Sequence, residues 1–322
     1  MTATDEVGGQ PPPDAADQQA PPEAASQQVP PDAAGQQTPP DGADYALLDA
    51  GDGRRLERFG AFVVDRPAPA AQGPRRTPER WTETDARSER DADWVTLGPP
   101  PDPWEVRFGR LTFRLRLTAS GQVGLFPEQA PNWDWIGERL RAASLGRRPA
   151  VLNLFAYTGG ATLAAAAAGA QVVHVDAVRS ALAWARENAA ASGLADAPIR
   201  WIPDDAVRFA EREVRRGHTY ELVVLDPPSY GQGPGGERWR LVERLPELLA
   251  TCLRLLAQEP LGLLLSAHTA GLSAGDLGAA VRAALAGLDP NRGHGRLEAL
   301  PLTLIAESGA QLPAGAVARW TP

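Results

Sequence analysis

The chain has 322 residues, 43% of them hydrophobic, enough for one large folded unit or two of ordinary size. Its formal net charge of −8 is carried by the N-terminus: residues 1–50 hold nine acids and no basic residue, which leaves 31 acids against 32 arginines, so an anionic partner is not excluded. Lysine is absent and Cys252 is the only cysteine, which excludes an amine nucleophile, an internal disulfide and a cysteine-based zinc site. No basic-then-apolar leader and no apolar run of about 18 residues stands in the sequence. These features predict a soluble cytoplasmic protein with no membrane span and no metal.

Residues 1–44 repeat with a nine-residue period: PPPDAADQQ from Pro11, APPEAASQQ from Ala20, VPPDAAGQQ from Val29 and TPPDGAD from Thr38. Such segments lack the apolar side chains that offset chain entropy, which predicts a disordered tail. From 45 to 120 the signals are short and β-like. LERFGAFVVDRP and WEVRFGRLTFRLRLT alternate apolar and polar residues, with Arg114 and Arg116 on the polar face. Residues 68–103, rich in Pro, Arg, Asp and Glu, read as a long loop within a small β-rich subdomain.

The period changes across residues 121–322. GLFPEQAPNWDWIGERLRAASLG leads into a short helix, and five continuous apolar runs then alternate with helical stretches: AVLNLFA, QVVHV, PIRWI, ELVVLD and LGLLLSA. Uninterrupted apolar strands separated by helices predict an α/β fold with a parallel sheet covered on both faces. LEALPLTLIA and AVARW close the chain as a terminal antiparallel hairpin.

In an open α/β sheet, ligands bind beyond the carboxyl ends of the strands. The first run ends in FAYTGGATL, where Gly159 and Gly160 allow close backbone approach and Thr158 can cap the helix that follows. No G-x-G-x-x-G is present, which disfavours a pyrophosphate. Asp176 follows the second run and suits both hydroxyls of a ribose; Asp205 follows the third; Asp226, Pro227 and Pro228 follow the fourth. A glycine turn, two acids and a Pro-Pro corner describe a nucleoside site without a phosphate cradle.

LNLFAYTGG, VDAV, DDA and DPPSYG, in that order, resemble the motifs of class I S-adenosylmethionine-dependent methyltransferases. With GLFPEQAPNWDWI and DPPSYGQGPGGERWRL, the chain is more closely similar to the large-subunit rRNA methyltransferases that act on cytosine C5 or guanine N7. The resemblance implies a Rossmann-like, seven-stranded domain with S-adenosylmethionine as cofactor and ribosomal RNA as partner. It implies that Asn153, Phe155, Tyr157, Thr158 and Gly159 line the methionine side, that Asp176 holds the ribose and Asp205 the adenine amino group, and that Gln129 reaches toward the cofactor. Asp226, Pro227, Pro228 and Tyr230 would form the corner where the methyl group meets its acceptor, with Asp226 also beside the cofactor. Arg238, Trp239 and Arg240 are candidates for RNA contact, with Trp239 stacking on an unpaired base, and His268 is either a base or a hydrogen-bonded wall.

Cytosine-C5 transfer needs a cysteine thiolate to add to the ring. In the cytosine-C5 members that cysteine lies on the strand after the Pro-Pro motif, where this chain reads LLLSAHT. Cys252 falls instead in the amphipathic ELLATCLRLLAQ and reads as a core residue. A base nitrogen therefore fits better as the acceptor atom. The residues also admit a methyltransferase of small molecules, or a non-catalytic module that binds the cofactor or RNA.

Overall fold

The N-terminal strands form a sheet covered on both faces, with Leu47 and Val64 in one core and Leu48, Leu56 and Val63 packed with Trp81 in another. The computed structural model describes Gln36–Gln37 and residues 43–89, 93–232, 238–287 and 294–322. In chain order it contains β1 (Gln36–Gln37), β2 (Tyr45–Gly51), β3 (Arg54–Phe59), β4 (Phe62–Pro67), β5 (Ala86–Ser88), β6 (Trp94–Thr96), β7 (Glu105–Phe108) and β8 (Leu111–Arg114). Strands β2 to β6 form one sheet in sequence order, and β7 and β8 form a separate hairpin.

One expectation changes here. The stretch 68–103 carries a 3-10 turn (Pro78–Glu83), β5 and β6, because the buried Asp49 anchors it. Asp49 accepts hydrogen bonds from the backbone of Arg76 and Thr77, both at 3.0 Å, and from Trp81 Nε1 at 2.9 Å. The tail expected over 1–44 lies mostly outside the described residues, but Gln36–Gln37 form a parallel ladder with Thr303 and Leu304.

The remainder continues with α1 (Ala130–Ala142), β9 (Ala150–Leu154), α2 (Gly160–Ala167), β10 (Gln171–Asp176), α3 (Arg179–Ala191), β11 (Ile199–Pro203), α4 (Ala206–Arg216) and β12 (Leu222–Leu225). Then come the ribbon strands β13 (Tyr230–Gln232) and β14 (Arg238–Arg240), α5 (Leu241–Arg254), β15 (Gly262–Ala267), α6 (Ala274–Ala286), β16 (Arg296–Ile305) and β17 (Gln311–Thr321). The main sheet runs β16-β17-β15-β12-β9-β10-β11, with β1 added outside β16. Strands β15, β12, β9, β10 and β11 are parallel, and β17 is antiparallel to both of its neighbours. The seven-stranded sheet with a terminal hairpin is the expected fold. Its order reverses at β9, which opens a crevice between the carboxyl ends of β9 and β12.

Strand residues alternate between two cores. Leu152, Leu154, Leu225 and Leu265 pack toward α5 and α6, and Val151, Val224, Leu264 and Val317 pack with Ile136 and Leu140 of α1. Among the described residues no helix is long and apolar enough to cross a membrane.

His174, inside β10, is fully buried. Asn153 Nδ2 donates to Thr162 Oγ1 at 2.9 Å, and the same hydroxyl is hydrogen-bonded to His174 Nδ1, also at 2.9 Å. Burial, with Arg186 nearby, pushes the His174 pKa down to about 3. The unfolded chain takes up a proton here below the ordinary 6.5, while the folded protein refuses it until about pH 3, so stability falls as pH falls through that window. The slope is about 1.4 kcal/mol per pH unit. Urea unfolding at pH 6.5 and pH 5 should show His174→Gln losing about 2 kcal/mol less than the wild type over that interval; equal losses would refute the assignment.

Candidate active site

The loop after β9 is held in a conformation that side chains rarely adopt. Phe155 and Tyr157 have φ of 58° and 45°, and Gly159 has φ of 91°. Non-glycine residues at positive φ persist only where their surroundings impose it. Asp176, at the end of β10, does so: Oδ2 accepts from Tyr157 N at 2.8 Å and Oδ1 from Val178 N at 2.9 Å. Burial raises the Asp176 pKa, opposed by these two bonds. Thr158 Oγ1 donates to the Gly124 carbonyl at 2.8 Å. The helix cap expected of Thr158 is therefore not made; Gly159 is the N-cap of α2 and has no side chain to bond. Gly160 lines the cavity, and its missing Cβ also makes room for the Trp133 indole, which would lie 2.4 Å from such an atom.

Asp205, after β11, is the N-cap of α4 and accepts from Arg208 N at 2.9 Å. At the end of β12, Asp226 sits between Gln129 and His268: Gln129 Nε2 is 3.3 Å and His268 Nε2 3.4 Å from Asp226 Oδ2. Asp226 Oδ1 is buried with no hydrogen-bond partner, while 36% of the side chain stays exposed. Burial opposes ionisation of Asp226, yet the neighbouring His268 holds its carboxyl below the usual range. Burial likewise opposes charge on His268, but Asp226, and Glu128 at 3.8 Å, push its pKa up to about 10. His268 Nδ1 donates to the Ala314 carbonyl at 2.6 Å. With Nδ1 bonded to the Ala314 carbonyl and Nε2 facing Asp226, the imidazole is tethered at both nitrogens, the geometry of a hydrogen-bonded wall.

These residues surround one cavity of about 700 Å³. Gln129, Asn153, Phe155, Tyr157, Thr158, Asp176, Asp205, Asp226, Pro227, Pro228, Arg238, Trp239 and His268 all line it. Gly159, Tyr230 and Arg240 do not. Tyr230 is 71% exposed, and Arg240 pairs with Glu243 at 2.9 Å. Trp239 turns inward, donating from Nε1 to the Pro228 carbonyl at 2.7 Å and packing on Phe155 with ring centroids 5.8 Å apart. That bond occupies the carbonyl of Pro228 in the Pro-Pro corner. Arg114 and Arg116 pair with Glu105 and Glu187.

Sequence reasoning missed Glu128, whose Oε2 is buried without a partner, and the buried Asn132. An acid beside Gln129 in an otherwise apolar link was the available signal for Glu128. Among the described residues no group of three or more His, Cys, Asp or Glu could hold a metal ion.

A family model described as S-adenosylmethionine-dependent methyltransferase matches residues 56–261. The crystal structure of the SAM-dependent methyltransferase from Agrobacterium tumefaciens superposes with a TM-score of 0.81 at 36% identity, covering 90% of this chain and 95% of that one. The ribosomal RNA large subunit methyltransferases K/L of Syntrophotalea carbinolica and Chromohalobacter salexigens are 34% and 37% identical over 159 and 145 residues. Those matches cover 49% and 45% of this chain but 21% and 19% of the relatives, so the chain spans about a fifth of the length of the curated relatives it matches.

Proposed function

The chain belongs to the S-adenosylmethionine-dependent methyltransferase family, and from that premise we propose that it methylates a base nitrogen of ribosomal RNA in the cytoplasm. The cavity fits the cofactor. Its volume of about 700 Å³ lies in the range of small-molecule sites, and carboxylates stand at the ends of β10, β11 and β12. Each Asp176 oxygen accepts one backbone N–H and keeps a lone pair for a ribose hydroxyl. Asp205 would receive the adenine amino group, and Asn153, Phe155 and Tyr157 would border the methionine part. Thr158 and Gly159 would act through the shape of the loop, since the Thr158 hydroxyl is engaged. When bound, S-adenosylmethionine supplies a methyl group already activated on a sulfonium, so the protein's work is alignment and exclusion of water.

The observation that carries the acceptor assignment is the under-bonded Asp226 carboxylate: one oxygen has no partner, and the other meets Gln129 and His268 at 3.3 and 3.4 Å, with Ser266 also beside the carboxylate. Such a group in a functional corner suits a donor from the substrate, here an N–H of the accepting base, which it would orient and whose released proton it would take. Cytosine-C5 chemistry finds no nucleophile. Cys252 is buried in α5, outside the cavity lining, and burial pushes its thiol up to about 12. Cys252→Ser should therefore retain transfer activity within about twofold; abolished activity in a folded variant would restore the thiol mechanism.

RNA as the substrate is supported by the names of the K/L relatives and by the ribbon beside the cavity mouth. Its register pairs Tyr230 with Arg240 and Gly231 with Trp239. Strand alternation then sets Tyr230, Arg238 and Arg240 on the face opposite Trp239. Trp239 is committed inward, so the stacking role expected of it passes to the exposed Tyr230, with arginines beside it for phosphate. Incubating the purified chain with rRNA and methyl-labelled S-adenosylmethionine tests this reading: label should enter RNA, and Tyr230→Ala should raise KM for RNA about tenfold with cofactor affinity unchanged. Label appearing only in metabolites would sink it.

A further inference from the structure

A carboxamide has nearly the same shape either way round, so its orientation is set by its partners. For Gln129 those partners begin on the last strand. In the β15–β17 pairing Arg319 lies opposite Leu264, which puts it on the same sheet face as Leu264 and Ser266, toward α1. There Arg319 Nε and Nη2 donate to Asn132 Oδ1 at 3.0 and 2.6 Å. A guanidinium accepts nothing, so Asn132 must turn its oxygen to Arg319. The Asn132 nitrogen is left to donate to Gln129 Oε1, at 2.6 Å. Gln129 in turn has only its nitrogen for the site, and Nε2 lies 3.2 Å from Ser266 Oγ and 3.3 Å from Asp226 Oδ2.

We propose that Arg319 and Asn132 are positioning residues, forming a one-directional hydrogen-bond relay from the terminal hairpin that holds the nitrogen of Gln129, and not its oxygen, against Asp226. Each link follows from the one before, because a donor-only group stands at the head of the chain. The reversed amide would set Gln129 Oε1 against a carboxylate oxygen, acceptor to acceptor, although it would also offer an acceptor to His268 Nε2 at 3.1 Å, so the relay from Arg319 holds the nitrogen in place against that pull. Asn132 is buried, with 1% of its surface exposed, so water does not satisfy the alternative in its place. The relay stands on this hydrogen-bond chemistry; its effect on turnover rests on the proposed placement of the methyl acceptor at Asp226.

The test uses the full chain without cofactor. Gln129 Nε2 is 3.1 Å from His268 Nε2, so in the wild type the Gln129 amide protons should give nuclear Overhauser contacts to the His268 ring. Asn132→Asp presents oxygen to both neighbours, which forces Gln129 to turn its nitrogen toward position 132, and the His268 contacts should disappear. Arg319→Met should weaken them by freeing Asn132 to rotate, and Arg319→Lys, another donor-only cation, should restore them. Wild-type contacts persisting in Asn132→Asp, or in Arg319→Met if the first variant fails to fold, would overturn the relay. Methyl transfer measured in parallel should fall about tenfold in the variants that lose the contacts. Lost contacts with unchanged transfer would uphold the relay and count against the acceptor placement instead.

Discussion

Asp226→Ala is expected to lower methyl transfer by about 10²-fold or more, the scale of losing a positioned proton-accepting group, while the protein stays folded. Asp226 directly follows β12 (Leu222–Leu225) and the prolines after it preset the chain's turn, so the carboxylate is delivered to the cavity in a fixed place. Its oxygens make few hydrogen bonds, but alanine also removes the partner of His268, so the variant should lose stability at neutral pH and transfer is to be read below its unfolding temperature. The loss falls on the substrate side, where an acceptor N–H goes unheld. A second readout accompanies the first. Although burial lowers the His268 pKa, Asp226 is the foremost source of its rise to about 10. Removing Asp226 should therefore move the His268 ring titration downward in an NMR pH series. Unchanged transfer in the folded variant would remove Asp226 from the reaction.

Asp176→Ala is expected to weaken S-adenosylmethionine binding by about 10²-fold, since hydrogen bonds to a charged group are worth about 1.5–3 kcal/mol each. Two kinds of bond vanish together. The variant removes the acceptor for the ribose, and it releases Tyr157 N and Val178 N, the ties that hold the positive-φ loop at Tyr157. Asp176→Asn keeps one acceptor oxygen and should fall between alanine and wild type. Isothermal calorimetry measures all three; a change below twofold in Asp176→Ala would contradict the ribose assignment.

What was legible in the sequence follows from what is local. Leu222–Leu225 and Gly262–Ala267 lack any polar alternation, so their burial on both faces could be read directly. The acids at strand ends follow by counting, which is why Asp176, Asp205 and Asp226 meet in one cavity. What escaped reading depends on register or on distant contacts. Tyr230 and Trp239 exchange sides because the ribbon pairs Gly231 with Trp239, and no composition signal reveals that phase. The 68–103 stretch is ordered by Asp49, which lies outside it. Arg319 and Asn132 are 187 residues apart in the chain, and only the β15–β17 register brings them together. Thr158, a good cap by type, found the Gly124 carbonyl instead.

The central claim, transfer of a methyl group to a nitrogen of an rRNA base, is tested most directly by mass-spectrometric mapping of methylated nucleosides in rRNA from cells with and without the gene. The account predicts that one N-methylated nucleoside is lost with the gene and returns on complementation with the wild-type chain but not with Asp226→Ala. An unchanged rRNA methylation pattern, or the loss of 5-methylcytidine alone, would contradict it.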